Sequence, residues 1–393
     1  MRINMNNGRY VFSQMVDFLP KRYFERLVKT CNGKTNNWAL SYWSQLLVLM
    51  FGQLDGCRSL RELTDITTAH ANKSFHLGFG KEPVNRTMLS RANSLRDYHV
   101  FEKMAYHMVD IAQRKRHGKP FELYGKYYAF DSTTISLCLS IFDWANYKST
   151  EAGIKIHTQL DVVTAIPLMF AITEAAVNDV NAMDWIEYEP LACYIFDRGY
   201  WDLARLFKIE QLNAFFVIRE KGKPKFEVVA GDDLLDGTDG VLRDQTVIFT
   251  TRGNKEHYPT TIRRIVFYAE KLKRTFTYYT NNFYLSAKDI AFLYQNRWMV
   301  ELFFKFIKQH LRVKNFWGNS MNAVYIQVYT VIITYCLVAV IEHDLKLNRN
   351  VGEVMRVLGS SLLAKDDIAD LFIHKEETQV DDGGWPMFDF MYN

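Results

Sequence analysis

The sequence is poor in the patterns that build disulfide frameworks and zinc sites. It has five cysteines among 393 residues, scattered without a C-x-x-C pair and without a paired histidine motif. This spacing argues against a structural zinc site and against a small disulfide-bonded scaffold. The chain does not open with a basic segment followed by an apolar run, so we expect no secretion signal.

The sequence also lacks a strong overall charge. The formal net charge is only +4, which by itself does not indicate a nucleic-acid partner. The distribution of charge is uneven, however. Residues 1–120 contain 19 Lys plus Arg against 9 Asp plus Glu, whereas residues 341–393 contain 5 against 11. A basic first part and an acidic end favour contact of the first part with phosphates.

A single long apolar run occurs in the chain, AVYIQVYTVIITYCLVAVIEHDL at 323–345. Its length alone would permit a membrane span. The run contains Gln327 and several Tyr and Thr residues, follows a strongly basic helix and has no second span as a partner. We therefore predict a buried helix that packs behind a sheet, and no membrane association.

Helical periodicity dominates the first part of the chain, which we predict to be a helical N-terminal DNA-binding domain over 1–120. SLRELTDITTAH and VNRTMLSRANSLR resemble a helix-turn-helix in spacing, and the second helix would present its polar side chains to a major groove. A solvated basic helix remains the alternative for any single residue. The candidate DNA contacts are Arg86, Arg91 and Arg96, with Asn93 beside them.

From Tyr127 the pattern becomes strand-like, with YYAFDSTTI, KIHTQLDVV, IPLMFAITE, CYIFD and AFFVIR separated by helical stretches near Met183–Tyr188 and Tyr200–Leu212. Three strands, helix, strand, helix, strand is the order of an RNase H-like core, a mixed α/β sheet flanked by helices. Strands ending in Asp131 and Asp197 would bring these two carboxylates together. The predicted divisions are 121–221 for the first part of the core, 222–285 for an inserted β-rich subdomain, 286–345 for the second part of the core, and 346–393 for a C-terminal tail or helical region.

A third acidic residue lies in AFLYQNRWMVELFFKFIKQHL, in the pattern Y-x2-R-x3-E-x6-K. On one continuous helix these offsets nearly complete whole turns, so the residues would share a face. That face would carry one carboxylate among cations and one tyrosine. Its members are Tyr294, Arg297, Glu301, Lys305 and Lys308.

Together the three carboxylates Asp131, Asp197 and Glu301 form a candidate metal site. Three converging oxygen ligands can hold two Mg²⁺ ions, which suit in-line displacement at a phosphodiester. Taken singly, an Asp after a strand is often a helix N-cap, and Glu301 between lysines could form salt bridges on an exposed face. Neither alternative explains the three acids together with the adjacent tyrosine and arginine.

These residues, with FDSTTI, FDRGY and the block TNNFYLSAKDIAFLYQNRWMVELFFKFIKQHLRVKNFWG, resemble bacterial insertion-sequence transposases of the DDE type, specifically family four of insertion sequences with its Y-R-E-K motif. The resemblance covers roughly residues 10–345. It implies that Asp131, Asp197 and Glu301 are the catalytic metal ligands, binding two Mg²⁺ ions with Mn²⁺ as a substitute. It also implies DNA contacts by Tyr294, Arg297 and Lys308. We add Lys305 and Arg198 to these contacts, and Lys148, Lys155 and His157 as residues that could line the same channel.

The implied partners are double-stranded DNA, as element ends and as target, and a second copy in a homodimeric paired-end complex. The expected location is the bacterial cytoplasm, at the nucleoid. The family's β insertion offers an aromatic side chain to a flipped base, for which Phe249, Tyr268, Phe276 and Tyr278 are candidates. Two alternatives stay open: a nuclease or resolvase that only hydrolyses, and a catalytically silent DNA-binding protein.

Overall fold

The computed structural model describes residues 8–32, 40–116, 123–137, 142–148, 151–231, 239–311 and 316–375. The predicted boundary between residues 120 and 121 and the end of the predicted tail lie outside these ranges. The helices are α1 Val11–Val16, α2 Lys21–Asn32, α3 Tyr42–Asp55, α4 Leu60–Ala69, α5 Arg86–Leu95, α6 His99–Arg116, α7 Leu203–Gln211, α8 Arg252–His257, α9 Ala287–Asn296, α10 Trp298–Leu311, α11 Met321–Asp344 and α12 Val351–Ser360. The strands are β1 Tyr127–Leu137, β2 Asn146–Lys148, β3 Glu151–Asp161, β4 Ile166–Glu174, β5 Cys193–Phe196, β6 Phe215–Arg219, β7 Phe226–Ala230, β8 Val241–Phe249, β9 Ile262–Ala269 and β10 Arg274–Thr280.

The described residues fall into two compact units. The helical unit contains residues from 1–117, 135–153 and 305–382, and the sheet unit contains residues from 118–134 and 154–304. Strands β1 and β3 and helix α10 contribute residues to both.

The helical unit is built around α11, the long apolar run of the sequence. This helix is apolar and long enough to cross a membrane, but 94% of its most apolar window is buried. Its neighbours are helices α3, α5, α6 and α12. The prediction of a buried helix is confirmed, and its neighbours within this unit are helices. An all-round apolar surface of this kind is typical of a helix enclosed by others.

The sheet unit contains the predicted α/β core. Its strands run in the order β4-β3-β1-β5-β6, then β10-β9-β8-β7. Strand β5 is parallel to both of its neighbours, β1 and β6, and β3 and β4 pair antiparallel. This is the predicted RNase H-like sheet flanked by helices, and the predicted fold class is confirmed. The helix predicted near Met183–Tyr188 is a 3-10 helix at Asp179–Trp185, which ends where Ile186 becomes extended.

The inserted segment is β-rich, and its strands extend the same sheet. Strand β10 pairs antiparallel with β6, with Tyr278 opposite Arg219. Strands β9, β8 and β7 follow in turn. One apolar core joins the two parts, because Phe130, Phe196 and Phe216 of the RNase H-like strands cluster with Phe249 and Tyr279 of the insertion.

Candidate functional site

Asp131 and Asp197 lie side by side on neighbouring parallel strands. Phe130 of β1 is opposite Phe196 of β5, so the next residue on each strand is one of the two carboxylates. Strand β5 ends before Asp197, as predicted, but β1 continues to Leu137. The predicted end of β1 at Asp131 is wrong because the residues after it keep an alternating pattern of burial. The carboxylate therefore projects from within a strand, whose backbone on both sides is fixed by the sheet.

Glu301 lies in the first turn of α10 and joins Asp131 through one arginine. The guanidinium of Arg297 donates from Nη1 to Oδ2 of Asp131 at 2.8 Å and from Nη2 to Oε1 of Glu301. The side chain of Arg297 is 13% exposed, and that of Asp131 is 20% exposed. The three residues thus form one partly buried, charge-assisted bridge between the sheet and the helix.

Asp197 joins the cluster through Tyr294 and Arg219. The Tyr294 hydroxyl donates to Oδ1 of Asp197 at 3.1 Å, and Arg219 Nη2 lies 3.6 Å from the same oxygen. Tyr294 is 5% exposed, and the guanidinium of Arg297 lies 5.8 Å from the centre of its ring. Tyrosine and arginine of the Y-R-E-K pattern therefore both contact candidate metal-binding carboxylates in this structure.

The two aspartates have pKa values that are displaced in opposite directions. Burial raises the pKa of Asp131 to about 6, because desolvation of the charged form outweighs the attraction of Arg297. Burial also opposes ionisation of Asp197, but Arg297, the Arg198 backbone N–H and Arg219 together outweigh it and lower that pKa. Neighbouring carboxyl groups whose pKa values are shifted in opposite directions are a common feature of catalytic sites.

The helix carrying the Y-R-E-K residues is interrupted at its arginine. Helix α9 ends at Asn296 and α10 begins at Trp298. On both sides of the junction the backbone makes bonds that span three residues, from Arg297 N–H to Tyr294 C=O and from Val300 N–H to Arg297 C=O. The helix is therefore not continuous, although Arg297 keeps a right-handed helical conformation. Tyr294, Arg297 and Glu301 still meet at the same acid cluster, as the shared face predicts.

The donor chemistry of the cluster fits a hard divalent cation, although a preformed cage is not visible. In the part of the chain that the structure describes, no group of three His, Cys, Asp or Glu side chains is close enough together to hold a metal ion. Arg297 instead lies between two of the carboxylates. If all three are ionised, one guanidinium leaves two negative charges uncompensated, and Arg219 offsets one of them. Oxygen donors with excess negative charge are the environment that Mg²⁺ prefers.

Asp131 is also connected to a hydrogen-bonded set of polar residues that the sequence did not predict. Ser132 donates its backbone N–H to Oδ1 of Asp131 at 2.8 Å and its hydroxyl to Asp179 at 2.6 Å. Lys155 is 3.0 Å from the same oxygen of Asp179 and is 8% exposed. Lys155 is thus a buried ion-pair partner and does not face a channel. The position of Ser132 next to Asp131 was a usable sequence signal, but nothing in the sequence connects Asp179 to it.

The other channel candidates differ in exposure. His157 is fully buried and its Nε2 lies 3.1 Å from the Thr173 hydroxyl, so it is a core residue. The side chain of Lys148 lies outside the described residues. Arg198, immediately after Asp197, is exposed, as are Lys305 and Lys308 one and two turns after Glu301 on α10.

Helix α5 divides the predicted N-terminal DNA contacts into two groups. Arg86 and Arg91 are exposed, but Asn93 and Arg96 are each 2% exposed. Arg96 donates to Ser41 C=O at 3.1 Å and to Gln45 Oε1 at 2.7 Å, and burial lowers its pKa to about 10. The expectation that Arg96 contacts DNA is wrong, because its guanidinium satisfies buried oxygens at the start of α3.

The predicted helix-turn-helix is not present in this form. Helix α4 ends at Ala69 and α5 begins at Arg86, with a 3-10 helix at Ala71–Lys73 between them. A helix-turn-helix joins its helices by a turn of about 3–4 residues. The two helices are in contact, but the connection is several times too long for that motif.

Most aromatic candidates of the insertion belong to the core. Phe249, Phe276 and Tyr278 are 1%, 6% and 2% exposed, whereas Tyr268 on β9 is 38% exposed. Stacking on a base requires an accessible ring face. Of the four candidates, Tyr268 alone meets this condition.

Comparisons with known proteins agree with the geometry. The family model described as transposase DDE domain matches residues 126–337, and a domain of unknown function, DUF4372, matches residues 7–80. A putative transposase, y4zB, from Sinorhizobium fredii is 35% identical over 58% of this chain, and the match spans 63% of that relative. A probable transposase for insertion sequence element IS5377 from Geobacillus stearothermophilus is 27% identical over 78% of this chain and 84% of its own length.

A putative transposase for insertion sequence element IS4SA from Synechocystis is 26% identical over 65% of this chain and 71% of its own length. Among solved structures, the synaptic complex of piggyBac transposase with hairpin DNA aligns with 96% of this chain and 84% of that one, at 11% identity and a TM-score of 0.43. That score is too low to carry an argument. The family match covers more than half of the chain and includes all three carboxylates, so the chain belongs to the family of DDE-domain transposases of insertion sequences.

Proposed function

We propose that this chain is a DNA transposase that binds the terminal inverted repeats of its own insertion sequence, cleaves at the ends and transfers the 3'-hydroxyl strands to target DNA. The observation that supports the proposal is that Asp131 and Glu301 both pair with the guanidinium of Arg297, while Asp197 accepts from the hydroxyl of Tyr294, three residues earlier. Arg297 is 166 residues from Asp131 in the chain, and Tyr294 is 97 residues from Asp197. A helix N-cap or an exposed salt bridge does not require three distant acids at one place.

Asp131, Asp197 and Glu301 would hold two divalent cations, Mg²⁺ with Mn²⁺ as a substitute. When bound, such ions activate a water or hydroxyl nucleophile and neutralise charge on the leaving 3'-oxygen. The protein fixes the acids on rigid elements, since Asp131 lies within β1 and Glu301 in the first turn of α10. The Ser132 N–H orients Asp131, and the Tyr294 hydroxyl orients Asp197.

The cationic residues around the acids would hold the phosphates of the DNA end. Arg198, Lys305 and Lys308 are exposed and adjacent in sequence or helical turn to a catalytic carboxylate. Tyr294 and Arg297 would join them on DNA binding, because an arginine fork matches two phosphate oxygens. Arg86 and Arg91 on α5 would contribute contacts from the helical unit. A homodimer would be needed to hold two element ends in a paired complex, and the site of action would be the nucleoid in the bacterial cytoplasm.

The test is cleavage of labelled DNA that carries the element ends, in Mg²⁺, with wild type compared with Asp197→Asn and Glu301→Gln. We expect cutting at the element boundary by wild type and no cutting by either variant, with end binding retained in all three. Joining of the 3'-ends to a second DNA distinguishes a transposase from a nuclease that only hydrolyses. Binding without cutting by wild type in both Mg²⁺ and Mn²⁺ would indicate a silent DNA-binding protein.

A further inference from the structure

In the structure Arg297 is paired with acids, which its proposed role as a phosphate contact does not explain. The Y-R-E-K pattern suggests a phosphate contact, yet both terminal nitrogens of its guanidinium are engaged by Asp131 and Glu301. These carboxylates are two of the three that would ligate divalent cations. An oxygen lone pair that accepts from a guanidinium is not free to coordinate a metal.

The guanidinium is also held in conditions that favour its pairing with these acids. Its side chain is only 13% exposed, so its ion pairs with Asp131 and Glu301 are largely shielded from solvent. Its Nε is buried and has no hydrogen-bond partner among the described residues. Two of its three nitrogens are therefore satisfied by acids, and the third is left unsatisfied, so the pose is supported chiefly by charge pairing.

We propose that Arg297 is the resident counter-ion of the carboxylate cluster and that a divalent cation must displace it in order to bind. The inference rests on the proposed function, because it takes Asp131, Asp197 and Glu301 as metal ligands. In the free protein the guanidinium holds like charges together and lessens their repulsion. Metal binding releases it, and it then becomes available to an anionic phosphate of the DNA end.

The backbone at Arg297 is suited to such an exchange. The residue forms the junction between α9 and α10, where the bonds on either side span three residues instead of four. Short 3-10 interruptions within helices often mark hinges. A change in the backbone conformation of Arg297 at this junction therefore need not break the regular backbone hydrogen bonds within either helix.

The experiment measures Mn²⁺ binding without DNA, by titration calorimetry and by the electron paramagnetic resonance signal of free Mn²⁺. Arg297→Gln removes the competing charge and keeps a side chain of similar reach. We expect Mn²⁺ to bind this variant about tenfold or more tightly than wild type, since a unit positive charge a few ångströms from the site opposes the cation. Arg297→Lys, which keeps the charge but loses the fork, should fall between the two.

The matched control is Arg205→Gln. Arg205 on α7 also bridges two acids, with 2.7 Å contacts to both Asp184 and Asp202, but it does not touch the carboxylate cluster. This variant should bind Mn²⁺ as wild type does. Asp197→Asn should weaken Mn²⁺ binding in the wild-type and in the Arg297→Gln background.

A second readout is thermal unfolding with and without Mg²⁺, at constant ionic strength set with KCl. Arg297→Gln should have a lower Tm than wild type without the metal, and Mg²⁺ should restore more of the Tm in this variant than it adds to wild type. Arg205→Gln should have a lower Tm than wild type, and Mg²⁺ should not restore it. If Arg297→Gln folds too poorly to be titrated, the Lys variant carries both measurements.

The outcomes separate the two proposals. Asp197-dependent Mn²⁺ binding that is unchanged or weaker in Arg297→Gln would show that Arg297 merely braces the site, and the displacement model would be wrong while the proposed function stands. Absence of Asp197-dependent binding in both wild type and Arg297→Gln would overturn the metal-ligand assignment itself, and with it this inference.

Discussion

The raised pKa of Asp131 predicts that replacing this candidate metal ligand by Asn will stabilise the free protein near neutral pH. Its pKa rises from an ordinary 3.8 to about 6, so the folded state holds a proton more tightly than the unfolded state. The contribution of Asp131 to the free energy of unfolding is therefore fully present below about pH 4. It is lost as the pH rises to about 6, and it does not return above that pH. The difference of about two pKa units corresponds to about 3 kcal/mol.

Asp131→Asn mimics the protonated carboxyl at every pH and should escape this loss. We expect the variant to exceed wild type in free energy of unfolding by up to about 3 kcal/mol at pH 7.5, and the two curves to converge towards pH 4. The measurement is urea unfolding in EDTA at several pH values between 4 and 8, followed by circular dichroism. Cleavage should be absent in the variant, so the gain in stability accompanies a loss of function.

Asp184 provides a control of opposite sign. The side-chain hydrogen bond from Arg205 lowers the pKa of Asp184, so its contribution to stability is present above the unfolded pKa and is lost as the pH falls through the lowered value. Asp184→Asn should therefore be less stable than wild type at pH 7.5 and should approach it in acid. An Asp131→Asn variant that is less stable than wild type at pH 7.5 would refute the reasoning, because the Arg297 bridge would then outweigh the cost of burial.

Three further predictions concern binding, packing and orientation. Replacing both Lys305 and Lys308 by Gln should weaken binding of all DNA sequences similarly and reduce the slope of log K against log salt by about 1 per lysine, as measured by fluorescence anisotropy. Arg96→Ala should lower the free energy of unfolding by about 3 kcal/mol because buried acceptors lose their donor, whereas Arg86→Ala should change it by less than about 0.5 kcal/mol in the same urea titration. Ser132→Ala should slow cleavage without changing affinity for DNA ends, since it unlinks Asp179 from the segment that carries Asp131; equal losses in both assays would point to misfolding instead.

The strands of the α/β core were predictable because each is marked by a local sequence pattern. Short apolar runs that end in turn-forming residues define β5 and β6, and the order of strands and helices then restricts how β1 and β5 can pair. Asp131 and Asp197 follow from that pairing alone. Glu301 required a different kind of signal, its fixed spacing from Tyr294 and Arg297, because its helix lies far along the chain.

What could not be predicted depends on tertiary packing. The sequence does not distinguish an exposed arginine, such as Arg91, from one that is buried and hydrogen-bonded, such as Arg96. The exposure of Arg96 was decided by the loop before α3, which lies some 50 residues away. The helix break at Arg297 is not marked by a nearby Gly or Pro, the residues at which helix kinks most often occur. The continuation of the sheet into the insertion likewise depends on long-range pairing between β6 and β10.

That continuation of the sheet has a consequence for biosynthesis. Strand β10, which is the last part of the insertion, is also the neighbour of β6, and the chain passes directly from it into the helices that carry Tyr294 and Glu301. Because β6 and β10 are separated in the chain by the rest of the insertion, their pairing is a non-local contact of the kind that slows folding. A ribosome releasing the chain in order would expose both aspartates well before Glu301 is made, so a nascent or prematurely terminated chain cannot contain a complete set of metal ligands.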